Sequence, residues 1–416
     1  MVLIEKKIIM IDYKEIRKAL HEHPQTAGNE QFAHDTIVKH LQGLHPTKVY
    51  THVGGYGVIA VWETIDSHNN AITQSRTPTI AFRADTDALP IGHRCGHDGH
   101  TTILLRLAEL VDCEFRNSNC ESDEFKIHNS KFNIILVWQP AEETGTGSRA
   151  VLESGILQQY NIKAFYALHN LPGYPLGTVV ICPHTFAAAS TGVVYRLDGR
   201  ETHASTPELG VNPGLAVSEI IQRFNAFNAS LSSSPKLGEG DHTQCGGGVC
   251  LNPESFRQST LICVNLGAPA FGTSAGHAEV MFTLRAFTNA AMERLLDDAN
   301  STVDEIAARH GLTVTRTLVE PFRATENHEE CVNALMRKCV SADTTNTDAL
   351  TQSHVNTIIK ETPFRWSEDF AEYLQEFPGA MFGIGSGEHH SELHHPDYDF
   401  PDDLIEPAAQ LFFSLI

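Results

Sequence analysis

The run Thr79-Ile-Ala-Phe82, followed at once by Arg83-Ala-Asp-Thr-Asp-Ala-Leu-Pro90, then by Cys95-Gly-His-Asp-Gly-His100 and the amphipathic stretch Thr101 to Val111, decides the fold of this chain. A short apolar run that stops in polar residues and gives way to a 3.6-residue pattern reads as a buried strand feeding a helix. The alternation recurs outward from there. Phe132 to Trp138 is strand-like and is followed by a helix candidate, Ser148 to Ser154. Ala164-Phe-Tyr-Ala-Leu168 is another strand. Towards the end, Glu368 to Phe377 reads as a helix and Ala380-Met-Phe-Gly-Ile384 as a strand. Upstream, Tyr13 to Leu20 and Asn29 to Leu41 read as helices, with Pro24 and Gly28 breaking the chain between them. Buried strands alternating with helices make an α/β domain with a mostly parallel sheet.

The middle is different. Thr191 to Leu197, Leu261 to Asn265, Ala278 to Leu284 and Leu312 to Leu318 are strand-like, with helix candidates Asn212 to Phe227 and Ala291 to His310 among them. That order, β-α-β-β-α-β, is a smaller α+β domain of split-βαβ type. The expected arrangement inserts it at 187–324 into a larger domain made of 1–186 and 325–416. Ser230 to Gly248 is expected to be a long loop of the inserted domain, and Ser341 to Thr351 another.

Composition agrees with two domains. The chain has 416 residues, whereas single cores stop growing at roughly 250–300. Hydrophobic residues at 41% and charged ones at 19% exclude a largely disordered chain. With 51 acidic against 30 basic residues the formal charge is −21, which argues against nucleic acid and anionic membranes as partners. Apolar runs such as Asn133 to Trp138 fall far short of the ~20 residues of a membrane span. Charge interrupts Met1 to Met10 early, with no small-residue cleavage site, so no secretory signal is expected. Nine scattered cysteines, an odd number, read as reduced thiols in a cytoplasm. Cys245 and Cys250 lack partners of zinc-site spacing and read as plain thiols.

Ligands of open parallel sheets bind beyond the carboxyl ends of the strands. Four such ends deliver chemistry here: Asp85, Asp87, Cys95, His97 and His100 after the first; Glu142 and Glu143 after the second; His169 directly after the third; and His389-His-Ser-Glu-Leu-His394-His395 after the fourth. Each has a bland reading by itself. Cys-x-His can be a buried thiol beside a surface imidazole, Glu-Glu a solvated turn, His169 a hydrogen-bonded loop histidine, and 389–395 a polar loop. No folding requirement explains their concentration on one sheet edge, and a metal site does. Imidazole, carboxylate and one thiolate suit Zn²⁺ or Mn²⁺ over Ca²⁺ or Mg²⁺. Five candidate ligands exceed the needs of one tetrahedral ion and so suggest two, which together can hold hydroxide and polarise a carbonyl. Hydrolysis then needs one carboxylate left over to move a proton.

The strings Leu20-His-Glu-His-Pro24, Arg83 to Pro90, Cys95-Gly-His-Asp-Gly-His-Thr-Thr102, Gln139-Pro-Ala-Glu-Glu143, Ala167-Leu-His-Asn170, Thr202-His-Ala-Ser205 and Leu393-His-His-Pro396 resemble the aminoacylase/carboxypeptidase family of dinuclear metallohydrolases. They look most like its auxin-conjugate and hippurate hydrolase branch, and the match runs through nearly the whole chain in order. The resemblance implies a catalytic domain with an inserted lid that also dimerises. It implies Cys95, His97, Glu143, His169 and His394 as metal ligands, Glu142 as general base and Asp87 as the carboxylate orienting a ligand, whose bland alternative is a turn. His203 would stabilise the oxyanion. Arg285 would hold a substrate carboxylate, or is a surface salt-bridge partner. His100 reads as support for a ligand or as a helix N-terminal residue, and His395 differs from His394 by one step of register. Two departures bear on substrate. Only Gly92-His-Arg94 separates Ile91 from Cys95, where related sequences carry a longer segment. The stretch Ala270 to His277 replaces the usual Asn-Val-Ile-Pro-Asp.

The function expected is metal-dependent hydrolysis of an N-acyl amino acid or related small amide by a cytoplasmic homodimer. A dipeptidase is the sister reading. A non-catalytic metal- or small-molecule-binding protein is the rival, and the intact Glu142, Glu143 and Cys95 count against it. A di-metal phosphatase would want more cations than Arg83 and Arg94.

Overall fold

The computed structural model describes residues 12–64, 77–117, 132–228, 256–340 and 356–416. Met1 to Met10, the Ser230 to Gly248 loop with Cys245 and Cys250, and Ser341 to Thr351 lie outside the described residues. The chain forms two compact units, one of Met1–Val180, Asn333–Ile358 and Phe377–Ile416, the other of Ile181–Val332 and Ile359–Glu376. Among the described residues no helix is long and apolar enough to cross a membrane.

The first unit is built on an eight-stranded sheet. Its strands are β1 (Lys48–Val53), β2 (Gly57–Trp62), β3 (Pro78–Asp85), β4 (Asn133–Gln139), β5 (Asn161–Pro172), β6 (Val179–Ile181), β13 (Thr357–Ile359) and β14 (Gly379–Gly387). They lie in the order β1-β2-β4-β3-β5-β14-β6-β13. The four central strands β4, β3, β5 and β14 are parallel, and β1, β2 and β6 pair antiparallel at the flanks. Register sets the site: Asp85 pairs with Gln139, Arg83 with Ala167 and His169 with Gly383, so the carboxyl ends of all four strands finish side by side.

The central strands carry apolar side chains on both faces. β2 and β4 are buried at every position, which explains why they read as continuous apolar runs rather than alternations. Helices α1 (Tyr13–Glu22), α2 (Gln31–Leu41), α3 (His97–Asn117) and α4 (Gly147–Glu153) follow, and the helix Ile405–Ser414 closes the chain. α3 packs on α1, β3 and this last helix. Its Ile103, Leu104, Leu105, Leu107, Ala108 and Val111 are all at most 1% exposed, each large side chain contributing about 1.5–3 kcal/mol.

The second unit contains a four-stranded antiparallel sheet in the order β12-β7-β11-β9, with β7 Ala189–Asp198, β9 Arg257–Leu266, β11 His277–Ala286 and β12 Thr313–Phe322. Helices α5 (Gly214–Asn225) and α6 (Asn289–Arg309) pack against it. Burial alternates residue by residue along β11, as a one-sided sheet requires. Phe282 meets Phe224 with ring centroids 4.4 Å apart, and Tyr195 meets Phe224 edge-on at 5.8 Å. The short pair β8 (Thr202–His203) and β10 (Thr273–Ser274) lies outside that sheet.

The β1–β2 hairpin adds to the strands expected from sequence, and its turn carries left-handed Gly54 at φ 61° and Gly55 at φ 114°. The expected helix Glu368 to Phe377 is a 3₁₀ turn, Asp369–Glu372, running into one α turn, Tyr373–Glu376.

An ion cluster around the buried Arg17 and Asp98 ties α1 and the C-terminal segment to the first turn of α3. Arg17 Nη1 lies 3.3 Å from Asp98 and 2.5 Å from Asp399, its Nε lies 2.8 Å from Asp402, and His21 Nδ1 is 2.7 Å from Asp98. Removing one partner of such a cluster strands a buried charge. Arg17→Met is therefore expected to lower unfolding free energy by about 3 kcal/mol, measured by urea denaturation. A loss within error of zero would mean that α1 does not depend on Arg17.

Candidate metal centre

At the carboxyl end of β3 the chain buries an ion pair completely. Arg83 donates from Nη1 to Asp85 Oδ2 at 2.6 Å and from Nε to Gln139 Oε1 at 3.0 Å. Asp85 also accepts from His100 Nδ1 at 2.6 Å, and its backbone carbonyl accepts from Thr101 Oγ1 at 2.9 Å. Burial pushes the Asp85 carboxyl up, but the facing His97, Arg83 and His100 outweigh it and hold the acid well below the usual carboxylate range.

The next loop carries Cys95 and His97 into this environment, and Gly96 between them has no substitute. Its φ is 91°, and a Cβ would lie 2.6 Å from the Asn170 amide. His97 Nδ1 donates to the Asp87 backbone carbonyl at 3.0 Å, which selects Nε2 as the nitrogen offered to a metal. That Nε2 stands 4.0 Å from both Glu142 Oε2 and Glu143 Oε1. Cys95, His97 and Glu143 each place a ligand atom within 4.8 Å of the others. Tetrahedral donors about 2.0–2.3 Å from a shared ion lie roughly 3.3–3.8 Å apart, so these three need close only by about an ångström to share one. Asp87 is fully buried. Its Oδ2 accepts the Glu143 backbone N–H at 3.0 Å, while Oδ1 carries no hydrogen bond and lies 3.5 Å from His97 Nδ1. A buried carboxylate oxygen left in that state fits a centre completed by positive charge.

Glu142 and Glu143 follow β4 in a turn that only a specific local sequence permits. Ala141 holds φ 55°, a left-handed conformation that an alanine adopts at a cost. Glu30 Oε1 accepts its N–H at 2.9 Å, and Gly147 donates to its carbonyl at 3.1 Å. Gly147 must lack a side chain, because a Cβ would come within 1.7 Å of the Pro140 carbonyl oxygen.

His169 lies within β5 rather than after it. Its Nδ1 donates to the Asn170 carbonyl at 2.9 Å. Burial first, then the facing His100 and His97, hold it well below its usual value, so it is the neutral imidazole a metal needs. His394 comes from the segment after β14, has φ 65°, and places Nε2 3.9 Å from Glu143 Oε1. Asp87, Cys95, His97, Glu142, Glu143, His169 and His394 thus all belong to the first unit, around one strand-end edge. His395 points elsewhere: its Nδ1 accepts from the Asp397 backbone N–H at 3.2 Å.

His203 and Arg285 belong to the second unit. His203 is exposed on β8, with Nδ1 2.7 Å from Ser205 Oγ. Arg285 sits at the end of β11 and donates to the Arg365 carbonyl at 2.8 Å and to Ser367 Oγ at 3.1 Å.

Four participants lie beyond the ligand set read from sequence. His100 spends both ring nitrogens, on Asp85 and, at 2.6 Å, on Asn170 Oδ1, although its ring also lies near His97 and His169. It therefore acts as support rather than as a ligand. Asp85 is the partner its nitrogen finds. Asn170 joins His100 to the buried hydroxyl of Tyr398. Asp85 and His100 stand in strings singled out by sequence, but a pairing across 15 residues is visible only once α3 folds back on β3. Tyr398 carries no sequence signal at all.

The sequence profile of peptidase family M20/M25/M40 matches residues 81–416. An N-acetyldiaminopimelate deacetylase of Lacticaseibacillus paracasei is 26% identical over 96% of this chain and 95% of its own length. The IAA-amino acid hydrolase ILR1-like 5 of Arabidopsis thaliana is 27% identical over 96% of this chain and 85% of its own. In fold the chain is similar to the Bacillus subtilis YXEP protein, described as a dinuclear metal binding peptidase of the M20 family. That likeness has a TM-score of 0.73, 22% identity and coverage of 97% and 96%.

Burial pushes the Cys95 thiol up to about 12, and Cys95 is 1% exposed while Cys113 is exposed. In metal-free protein at pH 8, iodoacetamide is expected to label Cys113 and spare Cys95, read by peptide mass spectrometry. Equal labelling would show that the thiol is neither buried nor held protonated.

Proposed function

The chain belongs to peptidase family M20/M25/M40, and we propose that it is a metal-dependent amidohydrolase cleaving an N-acyl amino acid or a related small amide into acid and amine. The observation carrying this reading is the convergence of Cys95, His97 and Glu143, with a further carboxylate, Glu142, at the same distance from the same His97 nitrogen. A structural ion needs no spare carboxylate, whereas hydrolysis needs a proton carrier. The deacetylase and the auxin-conjugate hydrolase among the relatives, each named for cleaving an amide on an amino acid, support the substrate class.

Cys95, His97, Glu143, His169 and His394 would hold two divalent ions, Zn²⁺ or Mn²⁺. When bound, such ions acidify water and polarise an amide carbonyl. Glu142 takes the proton of the attacking water and delivers it to the leaving nitrogen. Asp87 fixes the Glu143 backbone and faces His97 Nδ1, holding both side chains in place. His203 donates to the developing oxyanion and Arg285 binds the substrate carboxylate. The protein acts as a cytoplasmic homodimer joined through the 187–324 domain, which serves as a lid.

Amine release from N-acyl amino acids and dipeptides, with Mn²⁺ or Zn²⁺ and with chelator as control, tests the reading. Turnover of N-acyl amino acids that chelator abolishes is expected. Preference for dipeptides would replace the substrate class, and silence from metal-loaded protein would contradict the activity. Glu142→Ala is expected to lower kcat by about 10²–10⁴-fold with metal content unchanged, and retained turnover would remove Glu142 from the role of base. His97 is held well above its usual value, burial being outweighed by Asp85, Cys95 and Asp87, and the Cys95 thiol is raised by burial. Both groups must lose a proton to bind metal, so affinity should rise with pH. Competition with a chromophoric chelator at pH 6 and pH 8 reads this, and a pH-independent affinity would contradict it.

A further inference from the structure

Of the residues named as ligands, His394 is the most exposed: the others lie on β5, at the start of α3, or in the turns that directly follow β3 and β4. It lies in a segment without regular structure, its side chain is 57% exposed, and its backbone holds φ 65°. A histidine in that conformation relaxes unless neighbouring groups hold it. The groups that hold it converge on one residue of the three-residue link before Cys95. The backbone N–H of His394 donates to the Arg94 carbonyl at 2.8 Å, and Arg94 Nη1 donates to the Tyr398 carbonyl at 2.5 Å. Arg94 thus grips the segment at two points four residues apart. Between them, Tyr398 N–H closes on the His395 carbonyl at 3.0 Å. The far end is anchored inside the unit, because the Tyr398 hydroxyl accepts from the amide of Asn170, the neighbour of His169. Cys95, next to Arg94, and His394 are therefore set against each other by one side chain and one carbonyl.

We propose that Arg94 is a positioning residue that presets His394 for metal, so that the second ion is bound by a ligand already in place. The proposal rests on the dinuclear reading given above. The guanidinium suits the task because its planar donors reach a carbonyl in a fixed direction, which a lysine ammonium does not do. Without it the His394 backbone keeps one hydrogen bond and loses the second point that fixes its direction. The cost then falls on the ion that uses His394, whereas Cys95, His97 and Glu143 stay where β3, α3 and the Ala141 turn put them.

Zn²⁺ titration of the metal-free protein by calorimetry tests this. Wild type is expected to take two equivalents. Arg94→Met should bind the first as wild type does and the second at least tenfold more weakly, matching the direction of His394→Ala, and Arg94→Lys should fall between. A general loss of structure would weaken both ions alike, so the selective loss is the diagnostic result. Both affinities within twofold of wild type in Arg94→Met would overturn the clamp and leave the dinuclear reading standing. A wild-type protein taking fewer than two equivalents would overturn the reading and the clamp with it. Should Arg94→Met not fold, hydrogen exchange of metal-free wild type decides. The His394 amide should be protected before any metal is added, and exchange at open-loop rates would overturn the proposal.

Discussion

The Asp85 carboxylate has no access to water, and three groups converge on it: Arg83 from its own strand, and the His100 and His97 imidazoles from the first turn of α3. The Arg83–Asp85 charges would each be costly to bury alone, and they satisfy one another. These contacts fix the first turn of α3 against the end of β3. That placement brings Cys95 and His97 to the edge where β4 and β5 finish, and His100 then reaches Asn170 on the neighbouring strand. His97 is thus held against Asp85, whose other partners are not ligands: Arg83 is a cation, and His100 has both its nitrogens already spent.

The α/β character, the strand ends that carry chemistry and the second α+β sheet were legible because they depend on local pattern. Thr79 to Phe82, Phe132 to Trp138 and Ala380 to Ile384 are apolar because both faces of a central strand are covered, and their polar successors mark the ends. The Gln139-Pro-Ala-Glu-Glu143 string stood out because paired glutamates follow a strand end. Its left-handed Ala141 did not, because the Glu30 carboxylate that steadies it comes from the residue before α2, 111 positions away. Tyr398 and Arg94 escaped for the same reason: their role lies in partners contributed by long-range packing, and neither residue type signals it. His169 read as a residue after a strand, whereas pairing with β14 carries β5 on through Pro172.

Two elements at the site hold left-handed backbone without glycine, Ala141 before the paired glutamates and His394 in the final segment. Both are steadied by groups from outside their own segment, a carboxylate in the first case and an arginine in the second. Local strain of this kind is expected where a side chain must point against the preference of its own backbone. The strand-borne residues need no such help, since register alone aligns Asp85 with Gln139 and His169 with Gly383. The site therefore combines a rigid strand-end floor with two turns bent into place.

Whether the donors at this edge hold a pair of ions is decided by anomalous diffraction at the zinc edge, from crystals grown with Zn²⁺. Two peaks a few ångströms apart are expected, both within bonding distance of Glu143 or its neighbours Cys95, His97, His169 and His394, and none bonded to His100. A single peak ligated by His100, or no peak among these residues, would contradict a two-ion site.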